Sequence, residues 1–278
     1  MITDWKWDPS FLPKNGGAMY GWFFFMWIGI MAVEGVILLP VAAKRNKRTT
    51  DRVVLIYGLI MLAAEIYKQI FFTVETGEYP WNLFPWQFCS VPMFAAVAAP
   101  LLKDGRVKDA IYKFLAFFGL IAGIMTIMIP EGFYWDYVTI TCHSFFWHTT
   151  IVIIGLYLII ANDYARSLKS FFSEWLGSAA VYAAAIAVAL ALDAVWGLWL
   201  KNAVRTELTF NMFYISPFYV SSLPVFRDIQ PRVPYPVFLF LYVLAFCIGA
   251  AAVWFGAFGV RRLFGKRKPE KTEEAGLS

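Results

Sequence analysis

A thiol and two imidazoles are the most reactive side chains in an otherwise apolar sequence. Cys89 lies in the stretch NLFPWQFCSVPMF, and His143 and His148 are the only histidines of the chain. The thiolate is the nucleophilic form of cysteine, and a neighbouring imidazole can generate it by removing the proton. These residues predict covalent chemistry at Cys89, provided that the fold brings a histidine to the thiol.

The spacing of the two histidines argues against a metal site. Positions 143 and 148 are separated by about 140° around a helix, whereas a two-histidine metal face needs a spacing of four residues. We therefore expect no metal ion and no other cofactor. The chain has 3 cysteines, too few for a disulfide scaffold, although Cys89 and Cys142 would pair if they met on an oxidising side.

The composition indicates an integral membrane protein. Of the 278 residues, 60% are hydrophobic and only 15% are charged, whereas a soluble domain carries about 25% charged residues. Such a chain cannot cover a water-facing surface. The net charge of +5 gives no indication of a nucleic-acid partner.

Apolar stretches long enough to cross a bilayer, which takes about 20 residues, predict an all-α, polytopic bundle of seven transmembrane helices. The stretches lie at 20–41, 53–73, 84–102, 110–129, 138–161, 171–200 and 237–260. The third is the weakest, because Pro85, Pro92 and Pro100 interrupt it.

The charges between the spans predict the orientation. Lys and Arg cluster after the first, third, fifth and seventh spans, whereas the loops that follow the second and fourth spans are acidic. The positive-inside rule then places the N-terminus outside and the C-terminus inside. We expect an outer segment at 1–19, a membrane domain at 20–260 and a basic, then disordered, cytoplasmic tail at 261–278.

The long outer loop predicted at 202–236 is too aromatic for a plain solvent loop. It contains the run FNMFYISPFYVSSLPVF. Two alternatives remain open: the loop folds back over the helix bundle, or its aromatic residues form a belt at the membrane interface.

Most rare polar residues fall in the outer half of the predicted spans, and such residues often mark function. They are Glu65, Lys68, Gln87, Cys89, Ser90, His143, His148 and Asp193, with Glu34 not assigned to this layer. Structural explanations compete with the functional one. Glu65 and Lys68 are three residues apart and favour a simple ion pair, while Asp193 favours a hydrogen bond to a neighbouring helix.

Three motifs resemble those of the bacterial YwaF-like integral membrane proteins, whose animal relatives form the transmembrane protein 164 family. They are PWQFCS at 85–90, SFFWHTTIVIIGLYL at 144–158 and NMFY at 211–214, the last followed by SSLP and PRVPYPVF. The resemblance extends from about residue 65 to 246. It implies a multi-pass protein of the bacterial cell membrane.

The animal relatives are regarded as acyltransferases that act on ether lysophospholipids through a cysteine. The resemblance therefore implies that Cys89 accepts the acyl group, that His148 is its base, and that Glu65 and Asn211 orient the site, with Tyr214 in the same loop motif. The family histidine two residues before the cysteine is Gln87 here, and glutamine cannot take a proton at neutral pH.

We thus predict a membrane-embedded acyltransferase that takes its acyl donor and acceptor from membrane phospholipids. Lys68, Arg205 or Arg232 would hold the phosphate. The alternative is a small-solute or proton-coupled transporter that uses Glu65, Lys68, His148 and Asp193. A third alternative is a polar layer that only stabilises a bundle serving a partner protein. The sequence makes no prediction of oligomeric state.

Overall fold

The computed structural model describes residues 5–264, and these residues form a helical bundle. Across this range there is no β-strand, and a single isolated bridge pairs Lys6 with Tyr137. Most of the tail predicted at 261–278 lies outside the described residues.

Six of the helices in the described range are long and apolar enough to cross a membrane. They are α1 (Trp22–Ala43), α2 (Lys47–Thr76), α4 (Arg106–Met128), α5 (Val138–Ala161), α6 (Leu168–Val204) and α7 (Tyr235–Phe264). Each contains most of one predicted span.

The third predicted span differs from the other six. Only α3 (Val91–Leu101) is helical, and its 11 residues give about 16 Å of helix, roughly half the hydrocarbon core. Residues 84–90 form turns instead. Pro85 and Pro92 account for this start, because proline disfavours the helical conformation in the preceding residue and lacks the amide donor.

The ends of α2 follow from its flanking residues. The Asn46 side chain accepts a hydrogen bond from the backbone N–H of Thr49 at 3.0 Å, which caps the first turn. Gly77, with φ of +75°, ends the helix, and its N–H donates to the Thr73 carbonyl at 3.0 Å. This helix carries Glu65 and Lys68.

The central helix is α5, most of which is buried between α1, α2 and α4. Two glycines let α4 and α5 approach closely. A Cβ atom on Gly155 would lie 2.8 Å from the Leu120 Cβ, and one on Gly123 would lie 2.8 Å from a Val152 methyl. Small residues serve this purpose in membrane bundles.

The bundle has two ends, which we call the thiol end and the basic end. At the thiol end α2 terminates and α5 begins, so Cys89 and both histidines lie there. At the basic end α2 begins and α5 terminates.

Part of the long loop returns into the bundle. We call residues 210–216 the return segment. Phe210, Met212, Phe213, Ile215 and Ser216 are all buried. Of the two alternatives for this loop, folding back over the helices describes the structure.

Candidate functional site

Cys89 occupies the turn just before α3. Its side chain is half-buried and packs beside Met61, Met93 and Trp147. The Trp147 indole N–H donates to the Cys89 carbonyl at 2.9 Å, which ties the turn to the first half of α5. The thiol is therefore held on a fixed backbone and is not fully enclosed.

Glu65 and Lys68 form the ion pair that their spacing predicts. The Lys68 Nζ lies 2.8 Å from Glu65 Oε1, and both side chains are largely buried. Gln69 donates to the same oxygen at 2.7 Å and to the Leu83 carbonyl at 2.8 Å. The second carboxylate oxygen, Oε2, has no hydrogen-bond partner among the described residues.

Lys68 is the charge around which the predicted site residues gather. Its ammonium lies within electrostatic range of Cys89 and of both histidines, and Glu65 lies within range of Cys89. The structure thus brings together Glu65, Lys68, Cys89, His143 and His148, and we call these five residues the thiol cluster. Charge interactions are stronger there than in water because the dielectric constant is lower.

The His148 ring has one nitrogen fixed by the backbone. Its Nδ1 lies 2.8 Å from the Ser144 carbonyl oxygen, and the ring stacks on Phe133 with centroids 4.5 Å apart. A carbonyl oxygen only accepts, so Nδ1 carries the hydrogen and the lone pair is on Nε2. This neutral tautomer is the form that acts as a proton acceptor.

His143 faces a different neighbour. Its ring stacks on Trp147 with centroids 5.2 Å apart, and its Nε2 is buried with no partner in the described part of the chain. Within residues 5–264, no hydrogen bond joins the Cys89 sulfur to either imidazole. The direct thiol–imidazole contact that the sequence suggested is not formed in this conformation.

Gln87 binds the return segment rather than the thiol cluster. Its side-chain amide donates to the Asn211 carbonyl at 3.0 Å, and its oxygen accepts from the Phe213 N–H at 2.9 Å. Both amide groups are therefore satisfied by backbone. Because Gln87 and Cys89 share one turn, the return segment is bonded to the backbone that carries the thiol.

Asp193 and Asn211 belong to the same arrangement. Asp193 is fully buried and accepts from the Met212 N–H at 2.9 Å. The Asn211 side chain accepts from the Ser216 N–H at 2.8 Å and donates to the Val220 carbonyl at 3.3 Å. These contacts hold the loop and leave both side chains outside the thiol cluster. We call Gln87, Asp193 and Asn211 the loop clamp.

Tyr214 lies between the two groups. It is within electrostatic range of Cys89. Phe213 and Tyr214 have φ of 55° and 58°, a left-handed conformation that non-glycine residues rarely adopt. The Tyr242 hydroxyl donates to the Phe213 carbonyl at 2.7 Å and helps to hold this conformation.

The remaining predicted residues lie elsewhere. Arg205 and Arg232 are exposed in the long loop. Glu34 faces Tyr57 on α2, one to two helical turns from the thiol cluster along α1 and α2. All three cysteines are free, and Cys142 packs in the aromatic cluster around Phe145 and Phe133, away from Cys89.

Two residues that hold the site were missed by sequence reasoning. Trp147 follows His143 by four residues, and Gln69 follows Glu65 by four, so each lies on the same helix face as a predicted site residue. That spacing is the signal that would have identified them.

The ionic groups of the basic end also escaped prediction. Lys108 lies 2.6 Å from Asp51 and 3.1 Å from Asp104, and the Tyr112 hydroxyl donates to Asp51 at 2.6 Å. Nearby, Glu174 accepts from the Trp254 indole at 2.7 Å. These partners are far apart in sequence, so spacing alone carries no signal for them.

Comparison with known proteins supports the resemblance carried by the motifs. The model of the TMEM164 family matches residues 18–256, a range that contains every predicted site residue. Neither the curated proteins nor the solved structures yielded a match.

Proposed function

This chain belongs to the TMEM164 family, and from that premise we propose that it is a membrane-embedded acyltransferase acting on phospholipids or lysophospholipids. The observation that carries the proposal is the thiol cluster: a half-buried cysteine, an ion pair and two imidazoles gathered on α2, α5 and the turn before α3. A fixed thiol beside a cation and a neutral imidazole suits nucleophilic attack on an ester.

In the first half of the reaction, His148 Nε2 takes the proton of the Cys89 thiol. The thiolate attacks the ester carbonyl carbon of a phospholipid, a carbon–sulfur bond forms, and the bond to the glycerol oxygen breaks. The leaving oxygen takes the proton back from His148. An acyl thioester on Cys89 and a lysophospholipid result.

In the second half, the hydroxyl of an acceptor lysophospholipid gives its proton to His148 and attacks the thioester carbonyl. The new ester bond forms and the carbon–sulfur bond breaks. The proton returns to the Cys89 sulfur, which restores the enzyme. Lys68 stabilises negative charge on the sulfur and the carbonyl oxygen in both halves, because its ammonium lies within electrostatic range of the thiol.

The contacts of Gln87 bear on the departure from the family pattern. Both of its amide groups bind the return segment, so this position serves the loop here. A glutamine at 87 therefore does not remove the base from the proposed mechanism, because His148 keeps an unprotonated Nε2.

We also propose that α3 and the turn before it serve as a seventh span, with the basic end in the cytoplasm and the N-terminus outside. The supporting feature is the cluster of Lys and Arg in the loops of the basic end. In this topology the 1–19 segment and the 202–236 loop are external, and the thiol cluster lies at the depth of the outer leaflet.

An impermeant maleimide tests that orientation in intact cells. It should label Glu78→Cys, which is exposed at the thiol end, and should leave Ser167→Cys, exposed at the basic end, unlabelled until the cells are opened. The reverse pattern would overturn the topology.

The chemistry is tested by mass spectrometry of the purified protein in nanodiscs that contain phospholipid. An acyl adduct that hydroxylamine removes should appear on the wild type and on Cys247→Ser, and should be absent from Cys89→Ser. If no adduct forms on the wild type, or if Cys89→Ser keeps it, the proposal fails. Solute flux into proteoliposomes that is lost in Glu65→Gln would support the transporter alternative instead.

A further inference from the structure

A groove runs along the side of the bundle between α1 and α5. It has a volume of about 570 Å³, within the range of roughly 300–1,000 Å³ typical of ligand sites. Its lining includes Met31, Gly35 and Leu39 from α1 and Val152, Ile153 and Leu156 from α5, and every lining residue is apolar.

The groove begins one helical turn from His148. Val152 and Leu156 follow His148 at steps of four residues, so they continue its face of α5. On α1, Met31, Gly35 and Leu39 follow Trp27 at the same steps. The floor of the groove therefore leads away from the thiol cluster along two parallel rows of apolar side chains.

Aromatic rings close the end of the groove nearest the thiol cluster. Phe133 stacks on His148, Phe145 lies 4.8 Å from Phe133 between centroids, and Trp27 stacks on Phe145 at 6.2 Å. The groove is thus separated from the aqueous end of the bundle, whereas its long side faces the surrounding lipid.

We propose that this groove holds the acyl chain of the donor phospholipid while its ester carbonyl is presented to Cys89. The inference rests on the proposed function. The lining has no group that would bind a polar ligand, and both helices belong to the membrane-spanning set, so the occupant is hydrocarbon. Its direction, from His148 toward mid-membrane, is the direction in which a chain extends from an ester held at the headgroup level.

Gly35 gives a direct test. A Cβ on Gly35 would meet the nearest atom, the Ile153 Cδ1, at an ordinary 3.6 Å, so Gly35→Ala should be tolerated and Gly35→Leu should fill the groove. Gly29, on the same helix, has nothing within 4 Å and is exposed to lipid, so Gly29→Leu is the matched control.

The readout is the Cys89 thioester formed from dioleoyl or dioctanoyl phosphatidylcholine. Gly35→Leu should lower labelling from the dioleoyl lipid on the order of tenfold relative to the dioctanoyl lipid. Gly29→Leu should keep the wild-type ratio. Ala32→Leu, also in the groove, provides a second variant if Gly35→Leu folds poorly. Unchanged chain-length ratios in both groove variants would overturn the inference while leaving the thioester chemistry intact.

A binding measurement separates the groove from the reaction. A phosphatidylcholine with a diazirine on its acyl chain should label peptides around Gly35 and Val152 in Cys89→Ser as strongly as in the wild type. Gly35→Leu should lose that labelling at least severalfold. Equal labelling of the peptide around Gly29 in every variant would show that the groove has no preference for the chain, whatever the outcome for the thioester.

Discussion

The two ends of the bundle handle buried charge differently. At the basic end, Lys108 is held by two carboxylates, and Glu174 accepts from the Trp254 indole and from a backbone N–H. At the thiol end, Glu65 Oε2, Gln69 Oε1 and His143 Nε2 are buried without partners in the described range.

That difference separates structural polarity from reactive polarity. Nearly all buried polar groups in proteins find hydrogen-bond partners, so unsatisfied ones need an explanation. A site that receives an ester, a phosphate or a hydroxyl keeps such capacity for its substrate. The loop clamp, whose Gln87 and Asn211 amides are fully engaged, follows the pattern of the basic end although it lies near the thiol.

The largest effect is expected for the proposed base. His148→Gln should lower the rate of Cys89 thioester formation about a hundredfold to ten-thousandfold, because a general base contributes that much. His143→Gln should change the rate by less than about tenfold. Single-turnover labelling measures both, with unfolding temperature as the control for folding. The opposite ranking of the two variants would assign the base to His143.

Removing one member of the buried ion pair should have the next largest effect. Lys68→Met leaves the Glu65 carboxylate buried and unpaired, which should lower the free energy of unfolding by about 3–5 kcal/mol. Chemical unfolding in detergent measures it. The double variant Glu65→Gln/Lys68→Met should be more stable than Lys68→Met alone. Additive losses would argue that the pair contributes nothing to stability.

The matching change at the basic end should cost less and leave the chemistry intact. Lys108→Met removes the partner of Asp51, whose side chain is about one-quarter exposed, so hydration limits the loss to about 1–3 kcal/mol. Thioester formation per folded molecule should equal that of the wild type. A comparable loss of thioester in Lys108→Met would mean that the two ends are coupled.

The loop clamp should show a smaller effect on stability. Gln87→Met removes two hydrogen bonds to the return segment and should cost about 1–2 kcal/mol. Limited proteolysis within 202–236 should become faster. Gln87→Glu keeps the acceptor for the Phe213 N–H but lacks the donor to the Asn211 carbonyl, so its cleavage rate should fall between those of the wild type and Gln87→Met. Wild-type cleavage in both variants would contradict the role of Gln87.

The smallest effect concerns an exposed carboxylate of the basic end. The hydrogen bond from Lys108 and the charge of that residue lower the pKa of Asp104 from its ordinary value of 3.8. This contribution is present above 3.8 and is lost as the pH falls through the lower folded-state pKa. A slight acid destabilisation should therefore be seen in the wild type and be weaker in Asp104→Asn. Identical acid profiles would show that the pair is screened by solvent.

Local rules predicted the elements well. Hydrophobic length located the six long helices, and the spacing of Glu65 and Lys68 predicted their ion pair. The third segment is shorter than its apolar run because three prolines lie within or beside it, a weakness visible in the sequence.

Contacts between elements were beyond those rules. Which way the two imidazoles face depends on whether α1, α2 or α3 packs on each side of α5. The engagement of Gln87 by the return segment depends on a loop more than 100 residues away in the chain, and the pairing of Asp51 with Lys108 depends on neighbouring helix ends. Spacing in one sequence does not encode such partners.

The bond between Gln87 and the return segment restricts how a substrate arrives. Lifting that loop would pull on the turn that carries Cys89, so admission from the aqueous face would displace the nucleophile it is meant to reach. Passage through the flank of the bundle leaves the turn at rest. A lipid that already resides in the bilayer needs no other entrance, and water has no comparably easy route by which to hydrolyse the intermediate.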